Sequence, residues 1–505
     1  MNCILEYLEK SAEKYSEKTA FADIHTHCTY GELAEKAKRI GSALSERTLV
    51  EQPVAIFMDK SVEAVAAFLG VAYAGCFYVM LDVSQPSQRL NQIMETLGHP
   101  LVVTTREYEK KTAVLEKRAG ILLVEELETT AIREEELEKR RKQFTDVMPL
   151  YGIFTSGSTG NPKGVVVSHR SVIDFIEHFT ELFGITEQDI IGNQAPFDFD
   201  VSVKDIYSTL KTGATMEIIP RQFFSFPMKL LDFLCERKVT TLIWAVSALC
   251  MVSKLNGFDY KVPDRVNKVL FSGETMPVRQ LNIWRRYLPE AVYVNLYGPT
   301  EITCNCTYHV IERSYEPGET IPIGRPFPNE KVFLLDEAEK LVTKAGEQGE
   351  ICVGGTALSL GYYNNPQQTA AAYIQNPLNQ RYLEPIYRTG DLGYYNEQGN
   401  LCYSGRKDFQ IKHMGHRIEL GEIETAVERI PEIRRVCCVF EEEESKIIAF
   451  YEGEIEKKEI VKQLRKWIPA FMIPNGFCAM EQLPLNKNGK IDRKALKSRY
   501  EEERQ

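Results

Sequence analysis

Strand-like and helix-like stretches alternate along most of this chain, and that alternation restricts the folds open to it. "SVEAVAAFLGVAYAG" reads as a buried helix and "LVVTT" as a strand. "LYGIFTS" reads as a strand leading into a glycine loop, with "RSVIDFIEHFTELF" following as a helix. "TTLIWAV", "NKVLFSGE" and "AVYVNLYGPTE" continue the pattern. Alternation of this kind predicts an α/β protein built from layers, with mainly parallel strands. From Ile321 to Tyr403 the texture changes to short strands such as "KVFLLD", "GEICVGG" and "LCYSGR", separated by Gly/Asn turns, which predicts a β-rich subdomain. After "SGRKDF" the chain reads as a compact α+β tail. The main boundary falls near Asp408, dividing residues 1–407 from residues 408–505. "REEELEKRRKQF" is predicted to be a solvated helix or surface connection.

With 505 residues, the chain can bury a large core without disulfides. Its twelve cysteines contain no C-x-x-C pair and read as reduced thiols of a cytoplasmic protein. A formal charge of −10 argues against general attraction to nucleic acid or an anionic membrane. The N-terminus, "MNCILEYLEKSAEKYSEK", has no apolar signal region. Ala64–Leu81 is free of charge and just reaches spanning length, but it contains Gly70 and Gly75 and has acidic flanks, Glu63 and Asp82. A buried helix, a glycine turn and the buried strand "CFYVML" are expected there, with no membrane insertion.

"TSGSTGNPKG" (Thr155–Gly164) suits phosphate. Gly157 and Gly160 let the backbone approach a ligand, Thr155, Ser156, Ser158 and Thr159 offer hydroxyl donors, and Lys163 a positive charge. It is not a P-loop, because Gly164 stands where the Mg²⁺-binding Ser or Thr would follow Lys163. Taken alone, it fits a polar surface turn equally well.

Four further motifs follow: "YGPTE" (Tyr297–Glu301), "YRTGDLG" (Tyr387–Gly393), "GRKDFQIKHMGHRIELGEIE" (Gly405–Glu424) and "LNKNGKIDRKAL" (Leu485–Leu496). In order and spacing the set resembles the adenylate-forming superfamily of acyl-CoA synthetases, luciferases and amino-acid adenylation domains. The likeness covers nearly the whole chain, including "TYGEL" and "GEICVGGTALSLGYYNNPQQT". It implies a large N-terminal domain, a small mobile C-terminal domain, and ATP and Mg²⁺ as cofactors. By position, Thr155–Lys163 would hold the β- and γ-phosphates. Tyr297 would stack on adenine, with Gly298 beside it and Asn295 at the base edge. Thr300 would contact the α-phosphate and Glu301 the metal. Asp391 would accept from the ribose hydroxyls, with Arg406 adjacent. Lys490 would bridge carboxylate and α-phosphate in the first half-reaction. Two anions meet in that reaction, so cations must offset their repulsion. The resemblance further implies rotation of the tail about Asp408, after which Gly415 would line a passage for a thiol. Arg417 and Glu419 are expected to orient this segment, His413 and His416 to lie at the surface, and His169 to be structural.

"PFDFDVSVKDIY" bears on the substrate. In amino-acid adenylation domains, an aspartate matching Asp200 pairs with the α-ammonium; the competing reading makes Asp200 a helix cap. The matching pocket positions, some uncertain by one residue, are Val201, Lys204, Trp244, Leu270, Ser272, Leu296, Cys304 and Asn305. Trp244 would fill space and favour a small side chain. Leu270, Ser272 and Leu296 resemble the set of serine-activating domains. Lys204 departs from that set, and would pair with Asp200 or meet an acidic or polar side chain. The segment also resembles D-alanine–carrier protein ligases, although Ser272-Gly273-Glu274 replaces their Cys-Gly-Glu. The expected activity is ATP-dependent adenylation of a small amino acid. Transfer to a phosphopantetheinyl carrier protein, or to coenzyme A, would follow; the acceptor is expected on a separate molecule, because no carrier segment follows "NGKIDRKAL". The alternatives are a D-alanine ligase, an acyl-CoA synthetase for a non-amino acid, and a non-catalytic nucleotide-binding regulator.

Overall fold

The computed structural model describes residues 2–157, 161–442, 444–485 and 491–502. Two large mixed sheets dominate the N-terminal part. One has nine strands, with a parallel interior and antiparallel edges; the other has seven. Helices pack on them and form one extensive apolar core with a second beside it. A six-stranded antiparallel sheet built from residues 330–406 forms the expected β-rich layer. The tail has a core of its own, whose buried residues run from Ile418 to Met472, around a three-stranded sheet.

Four elements position the site: helix α1 (Val201–Thr212) and the adjacent parallel strands β1 (Thr241–Ala245), β2 (Lys268–Ser272) and β3 (Val292–Tyr297). Side chains alternate between the two faces of a strand. Ile243, Leu270, Val294 and Leu296 therefore join the core beneath α1. Trp244, Phe271 and Tyr293 join the core on the opposite face. The carboxyl ends of these strands open toward one side, where ligands of open α/β sheets bind.

The uncharged stretch folds as expected: helix Val62–Tyr73, then Gly75 at φ 75°, then strand Phe77–Leu81 inside the seven-stranded sheet. Among the described residues, no helix is long and apolar enough to cross a membrane. "EEELEKRR" is a helix with Leu137 as its buried residue. All twelve cysteines are free thiols.

The glycine loop differs from the predicted strand–loop–helix. Lys163–Ser168, rich in β-branched valine, forms a second strand antiparallel to Pro149–Thr155, with Thr155 opposite Lys163. The helix expected over "RSVIDFIEHFTELF" then follows, at His169–Leu182. The loop thus connects two paired antiparallel strands.

Candidate active site

A two-stranded hairpin, Gln410–His413 and His416–Glu419, carries "KHMGHRIE" and lies against the N-terminal domain. Its turn residue Gly415 has φ 79°, and its N–H donates to Oε1 of Glu274 at 3.0 Å. A Cβ on Gly415 would lie 3.1 Å from that of Ala245, at the end of β1. His413 and His416 are both buried, contrary to their expected surface position. His416 stacks on Phe471 and meets the edge of Phe199, so it joins the tail to the N-terminal domain through apolar contact.

Glu301, in a short 3₁₀ turn after β3, is completely buried. Oε1 accepts from Tyr362 at 2.8 Å, and Oε2 from Arg417 at 2.5 Å. Burial by itself would raise its pKa; Arg417, Lys163 and the Tyr362 hydroxyl outweigh burial and lower it to about 2. A permanently ionised, buried carboxylate suits a hard cation. In this arrangement Arg417 supplies the positive charge at one of its oxygens. The carbonyl of Arg417 also accepts from Ser156 Oγ at 2.8 Å, which ties the hairpin to the glycine loop. Lys163 lies over the Tyr362 ring at 5.1 Å; its pKa is lowered by burial and by Arg417, against the pull of Glu301. Gly157 packs closely on the backbone of Asn161, since a Cβ there would lie 2.0 Å from its carbonyl oxygen.

Three of the nucleotide candidates, Tyr297, Asp391 and Arg406, form one connected group. Tyr297 donates to Oδ2 of Asp391 at 2.5 Å, and Arg406 donates to Oδ1 at 2.5 Å. Arg406 also holds Asp408 through two bonds, of 2.6 and 2.8 Å, which anchors the chain where the tail begins. Lys412 of the hairpin sits over the Tyr297 ring at 5.2 Å. Asn295 donates to the carbonyl of Pro322 at 2.8 Å. Gly298 packs backbone against backbone: a Cβ there would lie 2.5 Å from Cα of Asn305.

Asp200 stands just before α1, but its side chain makes no capping bond. It lies near Thr300, Lys204 and Lys412 instead. Burial raises its pKa, and Thr300, Lys204 and Lys412 oppose the rise. Lys204, one turn along α1, is fully buried and donates to Asn305 Oδ1 at 2.7 Å and Ser272 Oγ at 3.4 Å. Cys304 Sγ donates to the Asp200 carbonyl at 2.8 Å. Leu270 and Leu296 lie on the same sheet face as Ser272, and Val201 is the half-buried first residue of α1.

Trp244 does not belong to this group. Its indole faces the other side of the sheet, against Phe224 and Trp284, with Nε1 donating to the Gly192 carbonyl at 2.7 Å. Ile243, one residue earlier, shares the face of Leu270 and Leu296. A strand shift of one residue reverses the face, and the primary sequence could not settle that register.

Ser158, Thr159, Gly160 and Lys490 lie outside the described residues. The sequence reading missed Tyr362, Lys412 and the buried pair of Arg89 with Glu422 at 2.8 Å, which joins the tail to the N-terminal domain. Only the acidic run "IELGEIE" offered a signal for Glu422. His169 is structural, as expected: its Nδ1 accepts from the Ile4 N–H at 3.2 Å.

A family model described as "AMP-binding enzyme" matches residues 8–363, and "AMP-binding enzyme C-terminal domain" matches residues 422–490. The chain belongs to the AMP-binding enzyme family. Within the adenylate-forming superfamily, it is 33% identical to zwittermicin A synthase ZmaJ of Bacillus cereus over 98% of this chain and 94% of that protein. It is also 34% identical to bacitracin synthase 1 of Bacillus licheniformis, over 97% of this chain but only 9% of that much longer protein. The Vibrio cholerae adenylation domain AlmE, solved with glycyl-adenosine-5'-phosphate, shares the fold. Its TM-score is 0.84 and its identity 22%, over 99% of this chain and 98% of that one. This AMP-binding enzyme is thus an α/β protein with a large N-terminal domain and a small C-terminal one.

Proposed function

We propose that the protein adenylates an amino acid with ATP, releases pyrophosphate, and passes the aminoacyl group to a thiol. The thiol would be that of a phosphopantetheinyl carrier protein or of coenzyme A. The observation that carries the amino-acid reading is Asp200. It is a half-buried carboxylate, uninvolved in capping, close to Thr300 and to the group of polar side chains at the carboxyl ends of β1–β3. Partial withdrawal from water disfavours its charge, Lys204 and Lys412 offset this without forming an ion pair, and a substrate α-ammonium would supply a direct partner. An acid without an amino group would leave it unmatched.

The nucleotide would lie along Tyr297, Asn295 and Asp391, and its phosphates near the hairpin turn between Thr155 and Lys163. Glu301 would hold Mg²⁺, which when bound supplies positive charge to the phosphates. Arg417 and the metal cannot both use the same carboxylate oxygen. The arrangement with the hairpin docked therefore suits the thiol-transfer step, after pyrophosphate has left. Gly415, at its tip beside Ala245, carries no side chain that would obstruct a narrow thiol arm. The relatives' names support a biosynthetic reading: ZmaJ is a synthase of zwittermicin A, and the much longer relative is a synthase of bacitracin.

ATP–pyrophosphate exchange with a panel of L- and D-amino acids tests this. Exchange with at least one amino acid is expected. Failure with all of them, together with turnover of a fatty or aryl acid and coenzyme A, overturns it.

A further inference from the structure

Lys204 carries a positive charge into the floor of the candidate substrate site. It is completely buried, and its two hydrogen-bond partners, Asn305 Oδ1 and Ser272 Oγ, are neutral. Among the described residues, no carboxylate lies within ion-pair distance of its ammonium. Asp200 and Asp205 favour its charge from a distance, but burial outweighs them and lowers its pKa, and neither forms an ion pair with it. Asp205, next on α1, faces Asn193, which donates to it at 2.6 Å; Asn193 in turn accepts from Lys60 at 3.0 Å. Burial holds the Cys304 thiol well above the usual thiol range, so it remains uncharged. Asp200 is the nearest acidic group along the helix face, four residues back. Under the function proposed above, its charge is matched by the substrate α-ammonium. A bound amino acid with an uncharged side chain would then leave Lys204 as a desolvated, unmatched cation, which is unfavourable.

The position of these groups is also specific. Ser272 ends β2, Asn305 follows the turn that carries Glu301, and Lys204 rises from α1 to meet both. Three polar side chains converge on the face that Leu270 and Leu296 share. With Trp244 on the other side of the sheet, no indole restricts the space to the smallest side chains.

We infer that Lys204, with Ser272 and Asn305, selects an amino acid whose short side chain ends in an anionic group, a carboxylate above all. This rests on the amino-acid reading. Lys204 is then a specificity-determining residue, and the neutral serine- or alanine-like substrates suggested by Leu270, Ser272 and Leu296 are the competitors it rejects.

Exchange kinetics on the full chain with aspartate, glutamate, asparagine, glutamine, serine and alanine test the inference. An acidic amino acid is expected to exceed its own amide by about 100-fold or more in kcat/KM, the scale on which a buried polar site rejects an analogue that leaves it unpaired. Lys204→Met is expected to lose that preference and favour the amide, while ATP affinity, measured by calorimetry, stays within about threefold. Should Lys204→Met not fold, Lys204→Arg, which keeps the charge, is expected to preserve the order of preference found in the unaltered protein. Preference of the unaltered protein for serine, alanine or an amide overturns the inference while leaving amino-acid adenylation standing. An acidic preference that survives Lys204→Met also overturns it. Exchange with no amino acid at all removes the proposed function itself, and this inference with it.

Discussion

Arg417 of the C-terminal hairpin donates to Glu301 of the N-terminal domain at 2.5 Å, and Glu301 has no exposure to solvent. Breaking such a buried pair from one side leaves an uncompensated charge, at a cost of about 3–5 kcal/mol. Arg417→Ala should therefore destabilise the docked hairpin. The transfer half-reaction, followed as thioester formation, is expected to fall by at least about tenfold, and pyrophosphate exchange by much less. Equal losses in both steps would show that Arg417 serves the two alike. Hydrogen exchange provides a separate readout, with faster exchange expected across Gln410–Glu419.

Arg89 and Glu422 form a second buried pair between the same two domains, 2.8 Å apart and 7% and 5% exposed. Arg89→Ala strands Glu422, one of whose oxygens already lacks a partner. Limited proteolysis near Asp408 is expected to speed up in that variant. The double variant Arg89→Met/Glu422→Leu, which removes both charges and keeps the volume, is expected to recover most of the resistance.

Gly298→Ala would set a methyl 2.5 Å from Cα of Asn305 and 2.7 Å from the carbonyl oxygen of Cys304. Backbone on both sides cannot yield as a side chain tip can, so a loss of about 1–3 kcal/mol or more is expected. Calorimetric unfolding would show it, and ATP binding should weaken in parallel, because Tyr297 and Thr300 flank the displaced residue.

His169 gives a pH dependence of known sign. Burial first, then Arg141, depress its pKa from 6.5 to about 3, with Asp146 opposing. The folded state thus binds fewer protons than the unfolded state between these values. Its contribution to stability is complete above pH 6.5 and is lost as the pH falls toward 3, by at most about 1.4 kcal/mol per pH unit. His169→Asn should flatten the fall in urea midpoint between about pH 7 and about pH 5. An unchanged slope would mean that the fold does not depress the His169 pKa.

Trp244→Phe is expected to lower stability yet leave the order of amino-acid preference unchanged, because the ring faces Phe224 and Trp284. Ile243→Phe, on the opposite face, should change that order. Pyrophosphate exchange across the panel separates the two.

The amino-acid sequence by itself determined the layered α/β architecture, the β-rich region and the small α+β tail. Those follow from local apolar periodicity and turn residues, which each segment carries within itself. It also determined which loops hold the polar candidates, since "YGPTE" and "YRTGDLG" bring unusual residues together in short stretches. The tertiary structure alone decided which face each strand residue serves. Trp244 and Ile243 are neighbours in sequence, yet a pleat places them on opposite sides of a sheet, and register depends on strands distant in the chain. The partners of the charged groups were likewise hidden: Arg417 is 116 residues from Glu301, and Glu422 is 333 from Arg89. A charge reads the same in a sequence whether water or a carboxylate faces it; only folding removes the water and makes the partner matter.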